Sequence, residues 1–169
     1  MKLITGGNVM ENYDIMYLAK VQAEVTSKLG IGGPFGAAIL DSEGNIITVD
    51  SNTVLRDNDP TAHAEMNAIR SACKILGTHD LSGYTLYATG YPCPMCMSAI
   101  IWANIKKVIY ACPVQDAEQI GFRDDFIYRF IETKCLNKAI LDVEWAGPDE
   151  RSMCKMMYLN YELDNKEMY

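Results

Sequence analysis

The chain has 169 residues, 49% of them hydrophobic, and carries a formal net charge of −7 from 15 basic and 22 acidic residues. This length suits one domain, residues 1–169, with a sizeable core. The negative net charge disfavours binding to the phosphate backbone of a nucleic acid. No stretch approaches the roughly 20 apolar residues that a membrane span requires. Nucleic acid and membranes are therefore poor first choices as partners. The short apolar start does not suit a secretory signal, so we predict a cytoplasmic protein.

Hydrophobic periodicity predicts the first elements in chain order. Residues 10–29 carry apolar side chains at helical spacing, and we expect this stripe, which includes Tyr13 and Tyr17, to face the core. Apolar runs at 35–40 and 46–49, joined by a polar turn, predict a β-hairpin. The later predicted elements are a helix at 61–77, a strand at 84–88, a helix at 92–104, a strand at 108–112, short helices within 116–131, an edge strand at 139–145 and a helix at 149–161.

A whole helix separates the predicted strands at 84–88 and 108–112, so these strands should be parallel with a right-handed crossover. A hairpin followed by two strand–helix units predicts a mixed sheet with helices on both faces. The predicted fold is therefore an α/β protein, a three-layer α/β/α sandwich.

Two short motifs at predicted helix starts contain metal-ligating side chains. His63 lies in His-Ala-Glu, and Cys93 and Cys96 lie in Pro-Cys-Pro-Met-Cys. The two cysteines are three residues apart and share one helix face. One imidazole and two thiolates suit tetrahedral zinc, and three protein ligands leave a fourth position for water, as in catalytic sites. The other cysteines stand in hydrophobic settings and are predicted to be free, buried thiols: Cys73, Cys112, Cys135 and Cys154.

Glu65 is not needed as a ligand, yet it lies on an otherwise apolar helical stripe with Ala68, Ala72 and Leu76. A carboxylate pointing inward beside a metal suits general acid–base chemistry. The alternative is a structural zinc site in a non-catalytic interaction protein. That alternative leaves Glu65 without a role, at a desolvation cost of several kcal/mol.

The pattern His-x-Glu followed by Pro-Cys-x-x-Cys is the known signature of zinc-dependent nucleobase deaminases. The sequence from about residue 30 to 131 resembles the guanine deaminase branch of the cytidine deaminase-like superfamily. The resemblance rests on Gly-Ile-Gly-Gly-Pro-Phe-Gly (30–36), Asn-Asp-Pro-Thr-Ala-His-Ala-Glu (58–65) and Gly-Phe-Arg-Asp-Asp-Phe-Ile-Tyr (121–128), with Lys-Glu-Met-Tyr (166–169) at the end. It is weak between about 132 and 160.

The resemblance implies hydrolytic deamination of guanine to xanthine and ammonia. One Zn²⁺ per subunit would be held by His63, Cys93 and Cys96, and hydroxide would attack the ring carbon that bears the amine. Glu65 would move the protons and Asp124 would be a second catalytic carboxylate. The implied assembly is a homodimer, domain-swapped through residues of about 149–169.

The resemblance also implies four substrate-binding residues: Asn52, Phe35, Ala64 and Tyr169. From the residues alone, Asn52 suits a turn, Phe35 a core position and Asp124 a helix cap. Tyr169, as the last residue, suits a frayed end on the same grounds.

The chain departs from its relatives at Tyr91, where they commonly have Glu before the Pro-Cys pair. Alternative substrates are therefore guanosine or another amino-heterocycle, including cytosine. A tRNA adenosine deaminase is a further alternative, against which the acidic charge argues.

Overall fold

The computed structural model describes residues 12–164. Its four strands are β1 Gly36–Leu40, β2 Ile46–Ser51, β3 Thr85–Gly90 and β4 Lys107–Cys112. They form one sheet in the order β2-β1-β3-β4, in which β1 is antiparallel to β2 and β3 while β3 and β4 are parallel. The predicted hairpin, parallel pair and mixed sheet are thus confirmed.

Seven helices are present in the described part of the chain. They are α1 Asn12–Lys28, α2 Val54–Asp57, α3 Ala64–Leu76, α4 Pro94–Trp102, α5 Val114–Gln119, α6 Asp125–Glu132 and α7 Pro148–Leu163. Residues 139–145 form turns and irregular backbone, so the predicted edge strand is wrong for this segment as described. No helix within residues 12–164 combines the length and apolar character that a membrane crossing requires.

The core lies on both faces of the sheet because successive strand residues point to opposite sides. On one face Ala37 and Ile39 of β1 belong to a buried cluster with residues of α3 and α4. On the other face Ala38 and Leu40 cluster with Ile15 of α1. Helices therefore cover both faces, and the predicted three-layer α/β/α sandwich is confirmed.

The prediction of the core-facing side of α1 is wrong. Its larger apolar side chains are exposed: Tyr13, Tyr17, Leu18, Val21 and Val25, with Leu29 just after the helix. The buried residues are Ile15, Ala19, Ala23 and Thr26. A Cβ built at Gly36 of β1 would lie 2.0 Å from the carbonyl oxygen of Ala19. At Ala19 and Ala23 the helix approaches Gly36 so closely that only small side chains fit there.

The chain divides into two compact units, Met1–Asp124 and Asp125–Tyr169. The first contains the whole sheet, helices α1 to α5 and both core clusters. The second contains α6 and α7. The prediction placed the swapped segment at about 149–169, which is only the last part of this second unit.

Candidate metal centre and active site

Two helix starts provide the metal-ligating side chains. His63 caps the N-terminus of α3 and Cys93 caps that of α4, both with extended backbone, while Cys96 lies in the first turn of α4. Pro94 opens α4, where its fixed φ suits the first helical position. Unpaired N–H groups and the helix dipole at such a start favour the thiolate form of cysteine.

The three ligand atoms form a nearly equilateral triangle. Cys93 Sγ lies 3.7 Å from His63 Nδ1 and 3.6 Å from Cys96 Sγ, and Cys96 Sγ lies 3.6 Å from His63 Nδ1. Tetrahedral zinc, with bonds of about 2.3 Å to sulfur and about 2.0 Å to nitrogen, separates its ligand atoms by about 3.5–3.8 Å. The three residues therefore fit a zinc ion, and they form a His/Cys cluster that can hold a metal.

The protonation equilibria of the two thiols are coupled. The pKa of Cys93 is lowered, first by its hydrogen bond with Cys96 and then by that with His63, while the same Cys93–Cys96 bond and burial raise the pKa of Cys96. The pair readily holds one negative charge, at Cys93. A cation between the sulfurs is what would favour the second thiolate.

Glu65 lies on α3 beside this cluster and is 7% exposed. Its Oε2 accepts a hydrogen bond from Cys96 Sγ at 3.5 Å. Burial raises the pKa of this carboxyl group, which brings it closer to the range useful for proton transfer near neutral pH. The predicted inward orientation of Glu65 is thus present, with Ala68 and Ala72 buried on the same helix face.

Asn52 follows β2 and is buried, with its amide fixed by the backbone. Its Oδ1 accepts hydrogen bonds from the N–H groups of Gly33 (3.2 Å) and Val54 (3.1 Å). Because both neighbours only donate, the oxygen must face them, and the Nδ2 group is the part of the amide left for another molecule. At Gly32, a Cβ would lie 2.4 Å from Asn52 Oδ1, so this close approach requires glycine.

Asn67 of α3 ties the Asn52 loop to the helix that carries Glu65, a role that the sequence analysis missed. Its Nδ2 donates to the carbonyl of Ser51 and to Thr53 Oγ1, both at 2.9 Å. Asn67 comes four residues after His63 in the motif helix, and that spacing was the available signal.

Asp124 is the last residue of the first unit, and its charge contributes to the raised pKa of His63. The pKa of His63 is raised, first by the hydrogen bond with Cys93 and to a lesser degree by the charges of Cys93, Glu65 and Asp124. The role of Asp124 as a second carboxylate of the site stays a prediction.

The remaining residues predicted to bind the substrate are Phe35, Ala64 and Tyr169. Phe35 packs on the cluster beneath α3 and α4 and makes an edge-to-face contact with Phe122. Ala64 is fully buried as the first residue of α3, so only its backbone N–H is suited to touch a substrate. Tyr169 lies outside the described residues. The divergent Tyr91 packs edge-to-face on Tyr110 of β4, with ring centroids 5.0 Å apart.

A comparison with protein families identifies residues 10–112 as a cytidine and deoxycytidylate deaminase zinc-binding region. The chain belongs to this family of zinc-binding deaminases, and zinc is its metal. His63, Cys93 and Cys96 all lie within the matched region.

Three matches to individual proteins show which members of the family the chain resembles. The chain is 50% identical over 111 residues to guanine deaminase of Bacillus subtilis (strain 168), covering 66% of this chain and 70% of that protein. The crystal structure of the Bacillus subtilis guanine deaminase matches with a TM-score of 0.85 at 40% identity, over 95% of this chain and 99% of the other. A tRNA-specific adenosine deaminase of Aquifex aeolicus is 49% identical over 78 residues, 46% of this chain and 51% of that protein. The chain thus spans about half of this second relative.

Proposed function

We propose that this protein hydrolyses guanine to xanthine and ammonia. The observation that carries the proposal is the buried carboxylate of Glu65, 3.5 Å from a metal-ligating sulfur in a family of zinc deaminases. A structural zinc site has no use for such a group, since burying a carboxyl group has a desolvation cost. The 50% identity to a guanine deaminase supports guanine over other amino-heterocycles.

His63, Cys93 and Cys96 are the proposed ligands, because their atoms have the spacing that zinc requires. Zinc, when bound there, would lower the pKa of a coordinated water to about 7. The open side of the ligand triangle must then face the substrate, as in other catalytic sites with three protein ligands.

Glu65 is the proposed proton carrier. It accepts a proton from the attacking water and donates it to the ring nitrogen next to the attacked carbon. It then accepts the proton of the new C–OH group and donates it to the departing amine. The C–N bond breaks as the new C–O bond becomes a carbonyl, so guanine and water give xanthine and ammonia. The raised pKa of Glu65 supports this role, because a carrier must both take up and release the proton.

Asn52 is the proposed reader of the base. Its Oδ1 is occupied by the N–H groups of Gly33 and Val54, so it would address the substrate as a donor through Nδ2. Guanine has two adjacent acceptors, O6 and N7, where adenine has an acceptor and an amine donor. A donor amide therefore favours the guanine edge. Asp124, whose charge contributes to the raised pKa of His63, is proposed as the second carboxylate of the site.

The test is ammonia release from guanine, guanosine, cytosine, adenine and a tRNA. We expect release from guanine alone. Release only from tRNA would assign the activity to the adenosine deaminase relatives, and silence on all five with one zinc per chain would favour an interaction protein.

Asn52→Asp sharpens this test. The carboxylate still accepts from Gly33 and Val54 but cannot donate to a base. We expect the activity on guanine to fall about 10- to 100-fold, mainly through KM, with zinc content unchanged. Asn45→Asp in the exposed hairpin turn is the matched control.

We further propose that the protein is a homodimer in which residues of one copy complete the site of the other. The support is that no residue within 125–164 is buried in the single chain. Apolar side chains exposed in such number mark an interaction surface. A second copy is the proposed partner, located in the cytoplasm, where the six unpaired cysteines stay reduced.

Mixing two inactive variants tests the swapped arrangement. Cys93→Ala removes a ligand and Tyr169→Ala removes the terminal ring that is predicted to close the partner's site. If each site combines both chains, random exchange restores activity in roughly a quarter of the sites. A mixture no more active than its components after refolding together, or a chain that sediments as a monomer, contradicts the proposal.

A further inference from the structure

Phe122 makes an aromatic contact outside the cluster formed by His63, Cys93 and Cys96. Its ring packs edge-to-face on Phe35, with centroids 5.0 Å apart and planes at 89°. The same ring lies against Gly33, where a built Cβ would be 3.0 Å from Cζ and 3.1 Å from Cε1. Phe122 is 45% exposed, so the contact is one-sided. The ring fixes the position of a segment and adds little to the buried core.

The backbone before Phe122 aims the ring at this contact. Gly121 has a φ of +94°, which a glycine adopts without strain, and its N–H bonds to the carbonyl of Glu118 at 3.0 Å. The N–H of Phe122 bonds to the carbonyl of Ala117 at 3.0 Å. These bonds anchor the segment to the end of α5, and the aromatic contact anchors it to the loop before β1.

Phe122 and Gly33, on the two sides of this contact, are each linked to a proposed site residue. Asp124, the proposed second carboxylate, follows Phe122 by two residues. Gly33, on the other side, donates its N–H to Asn52 Oδ1. A displacement of the Phe122 ring would therefore move the Asp124 segment relative to the residues proposed to read the base.

We infer that Phe122 is a positioning residue, which holds the Asp124 segment against the loop that orients Asn52 by packing its ring on Phe35 and Gly33. The inference rests on the proposed function of the site. A misplacement of about 1 Å in a catalytic group costs up to about 10²-fold in rate. Phe122→Ala should therefore lower kcat/KM by about 10²-fold, chiefly in kcat, with one zinc per chain retained.

The decisive comparison is Phe122→Ala in wild type and in Asp124→Asn. If Phe122 acts through Asp124, the change costs about 10²-fold in wild type and less than about 3-fold in Asp124→Asn, because residues that act as a unit are not additive. Equal losses in both backgrounds overturn the inference. An Asp124→Asn enzyme as active as wild type overturns it as well.

Gly33→Ala perturbs the same contact from the opposite side. The methyl group meets the Phe122 ring at about 3.0 Å, so we expect it to lower activity. Phe122→Leu removes the tip of the ring, and the double variant Gly33→Ala/Phe122→Leu should recover at least about 3-fold over Gly33→Ala alone. A double variant that only adds the two losses contradicts the inference.

Zinc content and thermal unfolding of every variant separate positioning from folding. A wild type that deaminates no base overturns the proposed function and this inference together. A wild type active on guanine with additive variants overturns this inference alone.

Discussion

Residues 12–124 include many buried side chains, whereas residues 125–164 include none in the single chain. The first region has two buried clusters on the two faces of a sheet, with side chains such as Ile39 and Leu86 fully buried. The second has two helices and no buried residue in the single chain. Its exposed apolar side chains include Trp145, Met153, Met157, Tyr158 and Leu163.

This contrast separates the residues that the proposed reaction needs from the apolar surface that a partner would cover. The family match ends at residue 112, and the candidate metal ligands, Glu65, Asn52 and Asp124 all precede residue 125. The first region therefore contains its own core, the cluster of metal-ligating residues and the residues proposed to carry out the reaction. The second has apolar surface that a single chain leaves in water, which is typical of a segment stabilised by a partner.

The largest effect that we predict is from Cys93→Ala in the first region. Loss of one thiolate leaves two ligands, so zinc content should fall from one per chain to well below half and turnover should disappear. Cys112→Ala, at an exposed cysteine on β4, should retain both. Metal analysis and ammonia release measure this, and a Cys93→Ala chain with full zinc would remove the basis for the proposed site.

Glu65→Gln should separate metal binding from turnover. The amide keeps the size of the carboxyl group but cannot carry the proton, so we expect kcat to fall about 10²- to 10⁴-fold with zinc retained. The control is Glu43→Gln in the hairpin turn, which should leave kcat unchanged. A Glu65→Gln enzyme with normal kcat would exclude Glu65 as the proton carrier.

Leu86→Ala probes the core of the first region. Leu86 is fully buried in β3, so the substitution leaves a cavity and should lower the free energy of unfolding by about 2–5 kcal/mol. Chemical denaturation followed by circular dichroism measures the change. A loss below about 1 kcal/mol would mean that this cluster is not the stabilising core.

Leu141→Ala is the matched change in the second region and should have the smallest effect. Leu141 is mostly exposed, so within one chain the loss should stay below about 0.5 kcal/mol. The proposed homodimer adds that the unfolding midpoint of this region should fall on dilution. A loss equal to that of Leu86→Ala at every protein concentration would contradict the contrast between the regions.

Much of the site was predictable because motif chemistry is local. The spacing of Cys93 and Cys96 within one helical turn, and the position of Glu65 two residues after His63, follow from helix geometry once the helix starts are recognised. The orientation of the Asn52 amide was not predictable. It depends on N–H groups of Gly33 and Val54, and the first of these approaches only when β1 and β2 pair.

The sequence by itself determined the hairpin, the parallel strand pair, the mixed sheet and the group of metal-ligating residues, because hydrophobic period and motif spacing act over a few residues. The tertiary structure decided which side of α1 is buried and what Phe122 contacts. Apolar periodicity favours the larger side chains of α1, such as Tyr17, for the core, yet the close approach of Gly36 to Ala19 admits only small ones. Such a choice depends on the distance between elements, which is set by packing and which no local pattern encodes.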